Sequence, residues 1–199
     1  MADRLITDLD TVRRMAASRW EEFNSLREAI EFDGTLSDTA LDTLIDSLYE
    51  RVAAQIDCTQ CANCCRTLDV CLVPDDIPRL SAALHISPDE IVTRHADQER
   101  GAEQDEWAII PVHPCPLLAG NLCSIYEHRP HACRVYPQLT PEFRYNMEDA
   151  VEGAASCPII YNVLSALADR IEPLPHDEEA AAEDDDWADE DWVDEEDAG

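Results

Sequence analysis

The sequence predicts a small α+β domain, mainly helical, with short strands and a loop-rich centre. Three observations predict it. Apolar residues recur at helical spacing near both ends of the globular part; short β-branched runs are confined to the middle; and nine cysteines cluster between those helical ends. At 199 residues the chain is long enough for one ordinary domain and short for two.

Taken in order, residues 3–30 place Leu5, Leu9, Val12, Ala16, Trp20, Phe23, Leu26 and Ile30 on one helical stripe. Asp33-Gly34 breaks it. Ser37 is an N-cap for a second helix, whose stripe is Leu41, Leu44, Ile45, Leu48, Val52 and Ile56. That helix runs almost into Cys58-Thr-Gln-Cys61-Ala-Asn-Cys64-Cys65. Residues 68–73 read as a strand, Pro74-Asp75-Asp76 as a helix start, and Ser87-Pro88-Asp89-Glu90 as a capped start for a short helix. Residues 97–106 are charged and unpatterned, which predicts an exposed loop, and residues 107–112 predict a strand. Gly120-Asn121 marks a tight turn between Cys115 and Cys123. Two prolines forbid a long helix over 126–137, residues 143–155 read as an irregular link or a strand pair, and 158–171 as a closing helix. The organisation expected is a helical segment over 1–57 packing on the core, a cysteine-cluster domain over 58–172, and an acidic tail over 173–199.

Charge is the extreme feature. Forty-four acids face 14 bases, a formal net charge of −30, and every base is arginine. Such a surface repels phosphate and anionic lipid, which excludes nucleic acid and membrane as partners. Acid excess without lysine suits a halophilic protein in a salt-accumulating cytoplasm, where a Debye length of about 3 Å at 1 M removes most self-repulsion. Fourteen of the acids lie in residues 177–197, too polar to repay ordering entropy, so that tail is expected to be disordered. Trp187 and Trp192 within it would suit docking to an unknown protein partner. No apolar run reaches the ~20 residues a membrane span needs, and the N-terminus opens into an amphipathic pattern without an apolar signal region. The expected location is cytoplasmic.

Nine cysteines in a reducing compartment argue for metal ligation over disulfides. Cysteines three apart can turn both sulfurs toward one ion, and C-x2-C-x2-C is the opening of a ferredoxin-type run. Cys115-Pro116 and Cys157-Pro158 offer the cysteine-proline dipeptide that often closes such a run. Adjacent side chains diverge, so Cys64 and Cys65 are expected to serve different metals or to bridge. The candidate ligands are Cys58, Cys61, Cys64, Cys65, Cys115, Cys123, Cys133 and Cys157. The preferred partition gives Cys58, Cys61, Cys64 and Cys157 to one site and the other four to a second. Cys71, mid-strand among apolar neighbours, reads as a small buried hydrophobe. His113, His128 and His131 lie beside the distal cysteines and read as supporting residues rather than ligands. Arg66, Arg129 and Arg134 adjoin cysteines, where guanidinium groups would offset thiolate charge and donate to sulfur, making them cofactor-binding candidates.

The ordered combination of that cysteine run, then Cys-Pro-Leu-Leu, then Cys-Ser-Ile-Tyr-Glu-His-Arg-Pro-His-Ala-Cys-Arg-Val-Tyr-Pro, then Cys-Pro, resembles the CxxCxxCC family of zinc- or iron-chelating, cysteine-cluster proteins. Cluster-bearing flagellin lysine methylases share the motif. The resemblance implies metal or cluster binding through the eight cysteines; because the middle is loop-rich, such ligation makes it the metal-tethered centre of the expected fold. The ferredoxin-like triple favours an iron–sulfur cluster of the 4Fe–4S type, with zinc as the alternative or a second site. A carrier, storage or sensor protein is the leading function. A cluster-dependent enzyme resembling a protein lysine methyltransferase, and purely structural zinc, are the alternatives. No serine–histidine–aspartate set, phosphate loop or nucleotide fingerprint is present, and the sequence leaves open whether any reaction is catalysed.

Overall fold

The computed structural model describes residues 5–32 and 36–171. The expected acidic tail, its two tryptophans and the Asp33-Gly34 break lie outside the described residues.

The fold is mainly helical with two small antiparallel strand pairs. The N-terminal stripe forms two helices, α1 (Leu9–Ser18) and α2 (Trp20–Phe32), rather than the single one expected. Asp8 caps α1 by accepting from the Thr11 N–H. The interruption falls at Arg19, where φ is −108° and the Ser18 hydroxyl also bonds the Met15 carbonyl. Such back-bonding competes with the helix ladder and bends it. Arg19 then donates twice to Glu22, at 2.7 and 2.6 Å, and once to Ser165 at 2.7 Å, so the break is fastened to the closing helix.

The second helix, α3 (Asp38–Ala53), starts at Ser37 as its cap residue dictates and buries Leu41, Ile45, Leu48 and Val52. Two one-turn helices follow, α4 (Cys58–Cys61) and α5 (Cys64–Thr67). Strand β1 (Val70–Leu72) leads to α6 (Asp76–Leu84) and α7 (Pro88–His95), the latter capped by the Ser87 side chain on the Glu90 N–H.

Residues 97–106 are not the loop expected. They contain α8 (Gln98–Ala102), capped by Asp97 accepting from the Arg100 N–H. The one buried residue of α8 is Gly101, so no apolar stripe advertises it. A Cβ there would stand 2.6 Å from Ala108 Cα, and only glycine lets the helix lie on strand β2 (Ala108–Ile110). Strands β1 and β2 pair antiparallel, with Val70 opposite Ile110 and Leu72 opposite Ala108.

The hairpin of β3 (Leu118–Ala119) and β4 (Leu122–Cys123) turns at Gly120, where φ is +67°. A 3-10 turn (Tyr126–His128) and α9 (His131–Val135) are as short as the prolines demand. Residues 143–155 also depart from expectation and hold α10 (Met147–Gly153). Phe143, Met147, Ala150, Val151 and Ala154 are buried at helical spacing. The Asp42 carboxylate accepts from the Glu142 and Phe143 N–H groups, anchoring the entry to α10 on α3. The closing helix α11 (Pro158–Ala168) has Cys157 at its N-cap position. No single helix among the described residues is long and apolar enough to cross a membrane.

Two hydrophobic cores result. The first joins α1, α2, α3, α10 and α11, with Phe23 set edge-on to Tyr161 at 6.2 Å. Helix α11 buries residues all round and is its centre. The second gathers Val70, Leu72, Ile77, Leu80, Ile91, Ala108, Ile110, Leu117 and Ile125.

Candidate metal centre

Thiols reach the centre from six local structures, most of them fixed by ordinary hydrogen-bond chemistry. Asp57 caps α4 by accepting from the Thr59 N–H at 2.9 Å and the Thr59 hydroxyl at 2.6 Å. One helical turn sets Cys58 and Cys61 on the same face, which is what the C-x2-C spacing provides. Ala62 ends the turn in the left-handed region, φ 51°, at a penalty of about 1–2 kcal/mol for a residue with a Cβ. The chain re-aims there and starts α5, placing Cys64 and Cys65 on the next turn.

Other contacts bring the distal cysteines to that loop. The buried Asn63 side chain donates to the Ser156 carbonyl at 2.7 Å, next to Cys157. The Cys115 N–H donates to the Cys65 carbonyl at 2.7 Å. Arg66 donates to the Cys61 carbonyl at 2.9 Å, the Gly120 carbonyl at 3.1 Å and the Asn121 side chain at 2.5 Å. Asn121 in turn donates to the Gln60 carbonyl at 2.9 Å, so the β3–β4 turn is sewn to the loop and carries Cys123 with it. Asp76, only 2% exposed, accepts from the Val73 N–H at 3.1 Å and the His131 N–H at 2.8 Å, fixing the start of α9 and hence Cys133.

All eight candidate cysteines line one cavity of about 470 Å³, between the two cores, and Cys71 is also on its wall. All nine are free thiols. They divide by packing. Cys157 is buried within the first core, whereas Cys115, Cys123 and Cys133 pack against the second. Cys64 and Cys65 stand at the boundary, their sulfurs 4.0 Å apart. Among the described residues, no three cysteine, histidine or acidic side chains close on a single point as one ion would require. The sulfurs are spread along the cavity wall instead.

The electrostatics follow the same division. Burial pushes the Cys157 thiol up to about 11, and Cys58 and Cys61 add to the shift. Burial raises Cys58, with Cys61 next. On the other side burial pushes Cys133 up to about 12, reinforced by Cys65, Cys115 and Cys123. Burial likewise raises Cys115 and Cys123, each with Cys65 among its neighbours. Within the vicinal pair, the Cys64 thiol donating to Cys65 lowers Cys65 and raises Cys64, and the guanidiniums of Arg66 and Arg129 favour the charge on Cys65.

Of the three candidate arginines, Arg129 lines the cavity; it is the one base among the described lining residues. Its guanidinium lies 3.6 Å over the Tyr126 ring while Nε donates to the Tyr126 carbonyl at 2.9 Å. Arg66 and Arg134 stand behind the wall on backbone carbonyls, Arg134 on that of Arg129. None of His113, His128 and His131 lines the cavity, and His113 pairs with Asp69 at 2.7 Å. Burial pushes Cys71 up to about 11, with Glu106 adding to it.

Several residues of the site carried no sequence signal of their own. Asn63 and Asn121 sit between cysteines but act through distant backbone groups. Tyr136 lines the cavity, and its hydroxyl oxygen is buried without a hydrogen-bond partner. Burial raises that phenol, followed by the thiols of Cys157 and Cys64. Nine soft sulfur donors, one cation and an unsatisfied O–H on one cavity suit a thiophilic metal, zinc or iron, and the negative charge carried by thiolates.

The sequence family CxxCxxCC, described as a putative zinc- or iron-chelating domain, matches residues 57–158, just over half of the chain and the span holding every cysteine. The chain belongs to that family. No curated protein and no solved structure matches it.

Proposed function

Because the chain belongs to a family of zinc- or iron-chelating domains, we propose that the eight cavity cysteines are its metal ligands, in two quartets. Cys58, Cys61, Cys64 and Cys157 form one, and Cys65, Cys115, Cys123 and Cys133 the other. The observation carrying this reading is the convergence of all eight on one cavity from both ends of the matched region. The division is supported by the separate cores on which Cys157 and the other distal cysteines pack.

An iron–sulfur cluster, 4Fe–4S for preference, is the favoured occupant. The C-x2-C-x2-C run supports it, as does a cysteine-lined cavity larger than one ion. Zinc is the alternative, or the occupant of the second quartet. A bound cluster would supply a one-electron couple; zinc would supply charge and geometry alone. Arg129 would offset the thiolate charge, and the backbone stitches through Asn63, Arg66 and Asp76 would hold the ligands in register.

The role is that of a carrier, storage or sensor protein. Cys58 is exposed, so the site is reachable from solvent, which supports exchange of its metal with a partner. An odd count of cysteines supports thiols kept for metal in a reducing, cytoplasmic setting, and the acidic C-terminal segment supports a protein partner rather than nucleic acid or lipid. Anaerobic purification in high salt, with elemental analysis and a visible spectrum, tests the reading. Brown protein that Cys61→Ser bleaches is the expected result; colourless protein with stoichiometric zinc reverses the choice of metal, and protein without either metal overturns the reading.

A further inference from the structure

We propose that Tyr136 is the outer hydrogen-bond donor of the Cys157 quartet, its hydroxyl donating to a metal-bound sulfur, that of Cys157 first. This rests on the ligand reading above.

Tyr136 follows α9 directly and its N–H donates to the Ala132 carbonyl at 3.1 Å, so its backbone is set by the helix that carries Cys133. Its ring, however, packs against the first core, to which Cys157 belongs. The side chain therefore crosses from the element holding one quartet to the sulfurs of the other. Tyr136 lines the same cavity as these cysteines, its buried hydroxyl closes no hydrogen bond, and the charge of Cys157, Cys64 and Cys58 acts on it, Cys157 most strongly.

A buried hydroxyl without a partner calls for an explanation. A neutral thiol is a weak acceptor, which accounts for a phenol that lies alongside Cys157 without closing a bond. A metal-bound thiolate is a strong one, and groups donating to ligating atoms orient them and tune the metal. Tyr136 is thus a positioning residue whose partner is created by metal binding. Tyr49 is the natural control: the same two thiols, Cys58 and Cys157, act on it, but it is not on the cavity wall.

The full chain loaded anaerobically with Co(II) alone provides the probe. A hydrogen bond to sulfur lowers the donor orbital, so Tyr136→Phe should move the sulfur-to-cobalt charge-transfer band to longer wavelength while Tyr49→Phe leaves it in place. The cobalt–sulfur stretch should shift in D2O in the wild type and lose part of that shift in Tyr136→Phe. A wild-type stretch indifferent to D2O, or identical spectra for wild type and Tyr136→Phe, overturns the proposal and leaves the ligand reading standing. A wild-type chain that takes up cobalt without thiolate bands overturns both.

Discussion

The helical half and the cysteine half of this molecule are stabilised by different means. The first core is built from five helices of 7–16 residues, and its centre, α11, buries eight of its eleven positions. The cysteine half uses strands of two or three residues and helices as short as four. Isolated elements that short are not stable, since helix nucleation alone is unfavourable. What holds them is a set of polar stitches, a small second core and, on the reading above, metal. One half folds by burial, and the other borrows its order from ligands.

Removing the metal separates the halves most sharply. Chelation under reducing conditions should speed amide hydrogen exchange across residues 58–72 and 108–135 while residues 9–53 and 147–168 stay protected. Uniform loosening of both would break the distinction. The converse perturbation is Leu164→Ala. Leu164 is fully buried in the first core, so the change should destabilise the fold by about 2–5 kcal/mol in denaturant unfolding. Metal content per folded chain should be unchanged.

A smaller effect is expected from Asp76→Ala, which leaves the Val73 and His131 N–H groups without their acceptor, at about 1–3 kcal/mol. Its distinctive outcome is faster alkylation of Cys133 with Cys157 unaffected. The smallest concerns acid. Arg19 holds the Glu22 carboxyl below its ordinary value of 4.5. A depressed carboxylate contributes stability above its unfolded pKa and loses it as pH falls. Because the pair is partly exposed, the loss below pH 4.5 should be only ~0.2–1 kcal/mol, absent in Glu22→Gln, and confined to the helical half.

The same division governs what the sequence made legible. Ser37, Ser87 and Pro158 announced their helices because caps and first-turn prolines act locally. The buried stripe of α10 was equally present at Phe143, Met147, Ala150 and Ala154, but the neighbouring prolines and acids masked its period. Helix α8 was not legible, since a glycine packing on a strand leaves no apolar mark. The break at Arg19 is fastened by Ser165, far along the chain. At the site, the cysteines declared themselves by spacing, and their division between quartets is consistent with the two cores. Asn63, Asn121 and Asp76 gave no sign of their part in it, because each bonds a group distant in sequence.

The most direct test of the central claim is residue-resolved cysteine alkylation of the native, anaerobically isolated chain, read by mass spectrometry before and after chelation. Cys58, Cys61, Cys64, Cys65, Cys115, Cys123, Cys133 and Cys157 should become reactive together with metal loss while Cys71 is unchanged. Labelling of the distal four in the metal-loaded chain, or labelling indifferent to the chelator, would contradict it.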